Sequence, residues 1–273
     1  MVLFTVNEEK CVKCGLCAKV CPSWLISFNE EGFPLVLSSK ESSCIECGHC
    51  ALFCPVSANS LSFLKENEIC KKSELPFPSE SEAINFLKTR RSIRRFKNEV
   101  ISKEIFAQIF ETVNQAPTAS NKQAVRWIVS KEPLETKKIV RLILTWLSEV
   151  LAKDSQSPIA LLATVMLEKD KEQEDGLLRG APHVAIAIVP ANYKWPEDGA
   201  IALTYLELAA HAVGVGACWG GFLTMAIRHS EELRKFLGIN DDEHVCGAQM
   251  LGYPQFKPVR QFAPRRNINI NWL

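Results

Sequence analysis

The chain has 273 residues, a formal net charge of +1 and 47% hydrophobic residues. This composition predicts a globular protein with a sizeable core, and the near-neutral charge argues against a general nucleic-acid binder, which needs a clustered basic excess. The most apolar stretch, Gly199–Leu223, contains Glu207 and His211, so it predicts a buried helix and not a membrane span.

The N-terminal segment concentrates the cysteines. Met1–Lys10 contains neither a basic segment nor a long apolar one, whereas a secretory signal needs both, so we expect a cytoplasmic protein. Eight of the eleven cysteines then fall within Cys11–Cys54. A secreted disulfide scaffold is usually short and follows a signal peptide, so this concentration of thiols points to metal ligation.

The cysteines form a motif that occurs twice. The spacing C-x2-C-x2-C-x3-C-P covers Cys11–Pro22 and recurs 33 residues later at Cys44–Pro55. Each copy is too short to bury a core alone, so we expect the two copies to fold as one unit. Gly15 and Gly48 leave room for backbone N–H groups to approach the sulfurs.

Iron–sulfur clusters take four thiolates each, and in this spacing the fourth cysteine of each run ligates the other cluster. The sequence predicts that one [4Fe–4S] cluster is held by Cys11, Cys14, Cys17 and Cys54. It predicts that a second is held by Cys44, Cys47, Cys50 and Cys21. Zinc knuckles or redox disulfides are the alternative, but zinc sites usually place their second cysteine pair farther along the chain. The segment Cys11–Phe63 resembles a bacterial-type ferredoxin with two [4Fe–4S] clusters.

The composition changes after this segment. Cys70–Pro78 carries two prolines and several charges, which is typical of a linker. We therefore expect a ferredoxin-like domain with its linker in residues 1–75 and a second domain in residues 76–273.

The second domain is predicted to be α+β, with a central mixed sheet flanked by helices. Ser79 begins a capping box ahead of one helix, and Ser102 begins another. Apolar periodicity predicts further helices at Pro133–Leu151, Asp198–Val213 and Met225–Phe236. Short apolar runs predict buried strands at Val125–Ser130, Ile159–Met166, Val184–Val189 and Val245–Leu251.

Four motifs follow one another in this domain. They are Arg90–Phe96, Ala116–Gln123, Gly214–Phe222 and Leu251–Pro254, the last followed by Lys257, Pro258, Arg260, Pro264, Arg265 and Arg266. Together and in this order they resemble the nitroreductase family of FMN-dependent oxidoreductases, over roughly residues 80–270. The resemblance implies a homodimer with FMN sites between the subunits, for which Gly199–Val213 is a candidate interface helix.

The side-chain chemistry agrees with a flavin mononucleotide site. Guanidinium groups bind phosphate in a bidentate manner, and the candidates are Arg90, Arg91, Arg265 and Arg266. Ser92 offers a hydroxyl. Arg94 is a candidate for the pyrimidine edge of the ring, where negative charge accumulates on reduction.

The remaining candidates concern the flavin ring. Asn121 and Gln123 carry paired donors and acceptors suited to its O4, N3 and O2 edge. Gly220 and Gly221 allow backbone N–H groups close to the ring, including N5. The neighbouring Cys218 and Trp219 are also assigned to the cofactor pocket, although for Cys218 alone the role of a small buried hydrophobic residue is favoured.

Each motif alone also has a structural explanation. Arg90–Arg95 can be a solvated face, Asn121 and Gln123 can be turn residues, and Gly214–Gly221 can be a helix stop. The common order of the four favours the flavin. Many family members have Pro and an aromatic residue where Ala124 and Val125 stand, and some have an acidic residue where Gly220 stands, so the shape of the substrate pocket stays open.

These features predict an enzyme, an iron–sulfur flavoprotein oxidoreductase. Electrons would pass from reduced ferredoxin or a similar low-potential donor through two clusters to FMN, and on to a small-molecule acceptor such as a nitroaromatic, a quinone or an activated double bond. NAD(P)H is an alternative donor, because family members bind it over the flavin without a G-x-G-x-x-G fingerprint. No dedicated catalytic side chain is evident.

Two other functions fit the same motifs. One is an FMN-dependent dehydrogenase that exports electrons through the clusters, and the other is a non-enzymatic redox sensor or electron-transfer protein. Glu207 and His211 are expected to be satisfied polar groups of a buried helix. The sequence indicates no role for Cys70, Cys218 or Cys246 beyond those given above.

Overall fold

The computed structural model describes residues 3–65, 69, 76–260 and 268–273. It divides into two compact units: the first comprises residues 1–78 and 120–122, and the second comprises residues 79–119 and 123–273. Cys70, Arg265, Arg266 and most of the expected linker lie outside the described residues. Within the described ranges, no helix combines the length and the apolarity needed to cross a membrane.

The first unit consists of two antiparallel strand pairs and two single-turn helices. Its elements are β1 Phe4–Val6, α1 Leu16–Lys19, β2 Ile26–Phe28, β3 Pro34–Val36, α2 His49–Leu52 and β4 Asn59–Leu61, with a 3-10 helix at Ser38–Ser43. β1 pairs with β4, and β2 pairs with β3. The buried core is small and centres on Phe4, Ala51 and Leu61.

The backbone repeats with the sequence. α1 follows Gly15, whose φ is 71°, and α2 follows Gly48, whose φ is 70°. Lys13 and Glu46, which occupy equivalent positions of the two motifs, have φ values of 54° and 53°. Glycine adopts this left-handed conformation without steric cost, so the two copies reach the same local fold.

The second unit contains seven helices and four strands among its described residues. They are α3 Glu80–Thr89, α4 Lys103–Val113, β5 Arg126–Val129, α5 Pro133–Lys153, α6 Ala160–Lys171, β6 His183–Pro190, α7 Glu197–Ala212, β7 Gly216–Trp219, α8 Gly221–His229, α9 Glu231–Leu237 and β8 Glu243–Gly252. The strands form one sheet in the order β5-β6-β8-β7. The α+β class is confirmed, but each pairing in this sheet is antiparallel, so the expectation of a mixed sheet is corrected for the described strands.

Local signals explain where several helices begin. At α3 the Ser79 side chain accepts from the Glu82 backbone N–H while the Glu82 side chain accepts from Ser79, which completes the expected capping box. Ser102 caps α4 in the same way through the N–H of Ile105. Pro133 occupies the first turn of α5, where its missing N–H is not needed.

Three predicted elements were wrong. Gly199–Leu223 was expected to be one buried helix, but it contains most of α7, all of β7 and the start of α8. Ile159–Met166 was expected to be a strand, but this run lies in α6, where Ala160 and Ala163 are buried and Leu161 is 80% exposed. Burial at i and i+3 is the helical pattern, and Leu, Ala and Met favour helix, so a short apolar run alone misled the assignment. Met225–Phe236 was expected to be one helix, but Ser230 leaves the helical conformation and caps α9, which splits it into α8 and α9.

The core lies on both faces of the sheet and follows the alternation of β6. Val184, Ile186 and Ile188 face one side with α5 and α8, whereas Ala185 and Ala187 face the other with α4 and α7. The alanines let α7 approach the sheet closely. A Cβ added at Gly199 of α7 would lie 2.4 Å from the sulfur of Cys246 on β8.

Candidate cofactor sites

The first predicted cysteine set surrounds a small cavity in the first unit. Cys11, Cys14, Cys17 and Cys54 all line it, together with Gly15, Phe28 and Asn59. The fourth cysteine of the second motif therefore lies with the first three of the first motif. Cys17 is buried, and burial raises the pKa of its thiol.

The second predicted set is also brought together. The pKa of the Cys44 thiol is raised by burial and further by the neighbouring Cys47 and Cys21, and burial raises the pKa of Cys50 to about 11 with the same two neighbours contributing. Cys21, the last cysteine of the first motif, thus lies beside the second trio. In the structure, the fourth cysteine of each motif thus lies with the first three cysteines of the other motif.

Backbone N–H groups point at several of these sulfurs. The N–H of Leu25 donates to Cys21 Sγ at 3.5 Å, and the N–H of Ala58 donates to Cys54 Sγ at 3.2 Å, four residues on in each case. Such donors stabilise negative charge on a ligating sulfur. Among the described residues no three His, Cys, Asp or Glu side chains converge closely enough to hold a single metal ion. A cubane cluster keeps its four cysteine sulfurs farther apart, since each binds a different iron.

In the second unit, the arginine-rich segment runs beside strand β7. The N–H of Ile93 donates to the carbonyl of Ala217 at 2.9 Å, and the N–H of Lys97 donates to that of Tyr253 at 2.8 Å. A Cβ at Gly216 would lie 2.7 Å from the Ile93 side chain. Glycine at this position is therefore required for the close approach of the segment to β7.

A cavity of about 470 Å³ opens at the start of β7. Its cationic lining comes from Arg90, Arg91, Lys257 and Arg260, and among the described residues Glu207 is the one acid that lines it. The backbone of residues 214–217 forms another wall. Four cations facing one acid suit an anionic ligand of the size of a phosphate ester.

The residues at the other end of β7 are arranged differently. Burial raises the pKa of the Cys218 thiol, while Arg94, Arg179 and a hydrogen bond from Ser92 act to lower it, so these side chains are neighbours. Cys218 itself belongs to the hydrophobic core. Trp219 is 43% exposed and packs over Gly247.

The two glycines after Trp219 are not equivalent. The N–H of Gly220 donates to the carbonyl of Ala248 at 2.8 Å and is already used. Gly221 is the first residue of α8, and its N–H has no hydrogen-bond partner in the part of the chain that the structure describes. Of the two glycine N–H groups, only that of Gly221 remains open to a ligand.

The remaining predicted residues lie in the loop after α4. Gln123 lines a second cavity, of about 400 Å³, with Phe110, Thr118 and Trp127 and not with Arg90. The N–H of Ala119 donates to both carboxylate oxygens of buried Asp198, which anchors this loop to α7.

Asn121 belongs to the first compact unit, with residues 120–122. There its side-chain amide donates to the carbonyl oxygens of Ile45 and Glu46, each at 3.1 Å. Ser120, Asn121 and Gln123 all have φ between 46° and 53°, a strained conformation for non-glycine residues. The expected FMN contact of Asn121 stays a prediction.

Four residues near these positions were not assigned to the site from sequence. Lys257 and Arg260 carried a signal, because they follow the Leu251–Pro254 motif. Glu207 was assigned only to a buried helix, and nothing in the sequence places Arg179 near Cys218.

Comparisons with known proteins agree with this architecture. The model of the nitroreductase family matches residues 87–253, and that of the 4Fe-4S dicluster domain matches residues 6–58. Two curated relatives are provisionally named NADH dehydrogenase/NAD(P)H nitroreductase. The one from Archaeoglobus fulgidus is 28% identical over 64% of this chain and 86% of its own length. The one from Methanothermobacter thermautotrophicus is 27% identical over 66% of this chain and 81% of its own length.

Solved structures share the fold. A nitroreductase with bound FMN from Bacteroides fragilis covers 70% of this chain and 99% of its own, with a TM-score of 0.57 and 20% identity. A second, from Desulfitobacterium hafniense, covers 70% and 98%, with a TM-score of 0.56 and 23% identity. The family model spans more than half of the chain. This protein therefore belongs to the nitroreductase family and carries a 4Fe-4S dicluster domain ahead of its nitroreductase domain.

Proposed function

We propose that this enzyme is an iron–sulfur flavoprotein that binds two [4Fe–4S] clusters and FMN and reduces a small organic acceptor. The observation that carries the proposal is the cation-rich cavity beside β7, in a chain that also assembles two sets of four cysteines. The FMN of similar solved structures supports the same cofactor here.

The cysteine sets fit clusters by their chemistry. Partly buried thiols with raised pKa values are poor anions by themselves, and ligation by iron would offset the cost of ionising them. Cys11, Cys14, Cys17 and Cys54 would hold one cluster, and Cys21, Cys44, Cys47 and Cys50 would hold the other. The N–H donors to Cys21 and Cys54 stabilise the ligating form of these sulfurs.

The second unit fits a flavin phosphate and ring. Arg90, Arg91, Lys257 and Arg260 would hold the phosphate, with Arg265 and Arg266 as further candidates. Ser92, Arg94 and the Gly221 N–H would contact the ring, and Trp219 would cover part of it. When bound, the clusters supply single-electron transfer and FMN supplies two-electron or hydride chemistry. The protein's part is to bind and orient the flavin and to place cations near the edge that becomes negative on reduction.

We propose a homodimer as the working form. The Gln123 cavity and the Arg90 cavity lie apart within one chain, so a second copy is the simplest way to bring both sets of residues to one flavin. Ala200, Ile201 and Thr204 form an exposed stripe on α7 for such an interface. Sedimentation velocity would test this, and a monomer at micromolar concentration with FMN bound would contradict it.

Two donors are compatible with these features. The names of the curated relatives favour NAD(P)H, whereas the cysteine sets favour a low-potential one-electron donor such as reduced ferredoxin. We favour the one-electron donor, because a flavin reduced directly by NAD(P)H would need no clusters. Nitroaromatics, quinones and activated double bonds are the proposed acceptors.

Anaerobic purification tests the proposal directly. We expect iron and sulfide for two clusters and one FMN per chain, and reduction of at least one acceptor class with reduced ferredoxin as donor. Replacing Cys11 and Cys44 together by Ala removes one ligand from each set and should abolish that turnover, whereas Cys246→Ala should not. Full turnover of the double variant with NADPH would contradict the electron path through the clusters.

A further inference from the structure

The described lining of the cation-rich cavity includes one acidic side chain, and its position needs an explanation. Glu207 on α7 lines the cavity beside Arg90, Arg91 and Lys257. Its side chain is only 17% exposed, and its Oε1 lies 2.6 Å from Nη1 of Arg90. A carboxylate next to a phosphate site repels the ligand unless a cation neutralises it.

The Arg90 guanidinium is held at one end only. Nη1 donates to Glu207, and the other N–H groups of this side chain bond to no residue in the described part of the chain. Arg90 is also the residue at which the backbone leaves α3, with φ −54° and ψ 130°. Its long side chain therefore depends on Glu207 for a fixed direction, and the unused donors stay available to the cavity.

α7 is itself fastened to the end of α3. His211, one turn after Glu207, lies 3.2 Å from the Thr89 hydroxyl through Nε2, and its ring stacks on Phe86 with centroids 5.1 Å apart. Burial and the nearby Arg90 lower the pKa of His211. A neutral His211 does not compete with Arg90 for the Glu207 carboxylate, so Arg90 stays the ion-pair partner of Glu207.

We propose that Glu207 is a positioning residue that fixes Arg90 for a terminal phosphate, so that the cavity selects FMN over the dephosphorylated flavin. The inference rests on the proposed FMN function. Removing Glu207 has two opposite expected effects on phosphate binding, and these distinguish a positioning role from simple charge repulsion. Removing Glu207 takes a negative charge out of the cavity, which by itself would tighten phosphate binding, whereas loss of the fixed Arg90 would weaken it.

The test measures flavin affinity of the full-length protein after FMN removal, by quenching of flavin fluorescence. FMN and riboflavin are titrated separately, since riboflavin lacks only the phosphate. For Glu207→Gln we expect FMN to bind about tenfold more weakly and riboflavin to change by less than about twofold. Glu231→Gln is the matched control, because this glutamate also pairs with a cation, Lys235, but is 83% exposed on α9.

A double-mutant cycle with Arg90→Ala gives the second readout. If Glu207 acts through Arg90, adding Glu207→Gln to Arg90→Ala should weaken FMN binding no further. Unchanged or tighter FMN binding by Glu207→Gln, equal losses for FMN and riboflavin, or fully additive effects in the cycle would each overturn the inference. If the unmodified protein binds no FMN at all, the proposed function fails instead.

Discussion

The first unit offers eight thiols from loops and single-turn helices, whereas the second offers guanidinium and ammonium groups beside a four-stranded sheet. The buried core of the first unit is Phe4, Ala51 and Leu61 with a few partly buried neighbours. The second unit has two large clusters of buried side chains, one on each face of its sheet. A chain segment with so small a core needs ligation or another staple to be stable. We therefore expect the first unit to need its cofactor in order to fold, whereas the second unit should fold without its cofactor.

Removal of iron should produce the largest difference between the units. With iron chelated after oxidation, residues 3–65 should lose amide protection from hydrogen exchange, because cluster binding supplies their folding free energy. Residues 79–119 and 123–260 should keep it. Protection retained throughout the first unit without iron would show that its core suffices, and removal of FMN provides the parallel treatment for the second unit.

Loss of one cavity cation should weaken the flavin site without unfolding it. Lys257→Ala removes an ammonium group from the lining, and we expect FMN to bind about tenfold more weakly, with a shallower salt dependence. Thermal unfolding without FMN should be unchanged. Lys153→Ala, on α5 and outside this cavity, is the control. Equal effects from both lysines would mean that only net charge matters.

Adding a single methyl group at Gly216 should destabilise the second unit through packing alone. Gly216→Ala places a Cβ 2.7 Å from Ile93, so we expect a loss of about 1–3 kcal/mol in the free energy of unfolding by urea. The loss caused by Gly216→Ala should be smaller in an Ile93→Gly background, because the Cβ of Ile93 itself would lie 2.8 Å from the new methyl group. A fully neutral Gly216→Ala would show that the arginine segment is free to move away from β7.

The smallest expected effect is a pH dependence confined to the second unit. His183 is fully buried, its Nδ1–H donates to the Ser130 carbonyl at 2.9 Å, and its Nε2 accepts from the Ile101 N–H at 3.0 Å. Burial lowers the pKa of His183 below its ordinary value of 6.5. The neutral form is thus favoured by folding, and its stabilisation is complete above about pH 6.5 and is lost as the pH falls below it.

Urea unfolding at about pH 8 and about pH 5.5 measures this effect. The unmodified protein should lose more stability between the two values than His183→Asn does. His49→Gln, an exposed histidine of the first unit, should behave like the unmodified protein. Equal pH dependence of the His183 variant and the unmodified protein would mean that other groups dominate.

The sequence was most informative where a residue type has one chemical use. The spacing from Cys11 to Cys54 predicted both cysteine sets, and Ser79 and Ser102 predicted two helix starts, since thiolate ligation and side-chain caps are local chemistry. The short apolar run Val184–Val189 predicted β6. These signals need no knowledge of the tertiary fold.

The sequence was least informative where tertiary packing decides. The run in α6 is apolar enough for a strand, and the burial of Ala160 and Ala163 at helical spacing shows only in the folded chain. The use of the Gly220 N–H by Ala248 depends on the pairing of β7 with β8, which no local pattern reveals. Glu207 and Arg90 are 117 residues apart, so their ion pair could not be predicted from spacing.

Helix α7 holds two separate segments of the second unit, one at Ala119 and one at Arg90. Asp198 in its first turn anchors the loop at Ala119, and Glu207 farther along holds Arg90. Nine residues of α-helix separate these two carboxylates along the axis by about 13.5 Å, at 1.5 Å per residue. The close contact between Gly199 and Cys246 holds α7 against the sheet. The distance between the two carboxylates is therefore fixed relative to the sheet. A change that shifts α7 would move both anchored loops together.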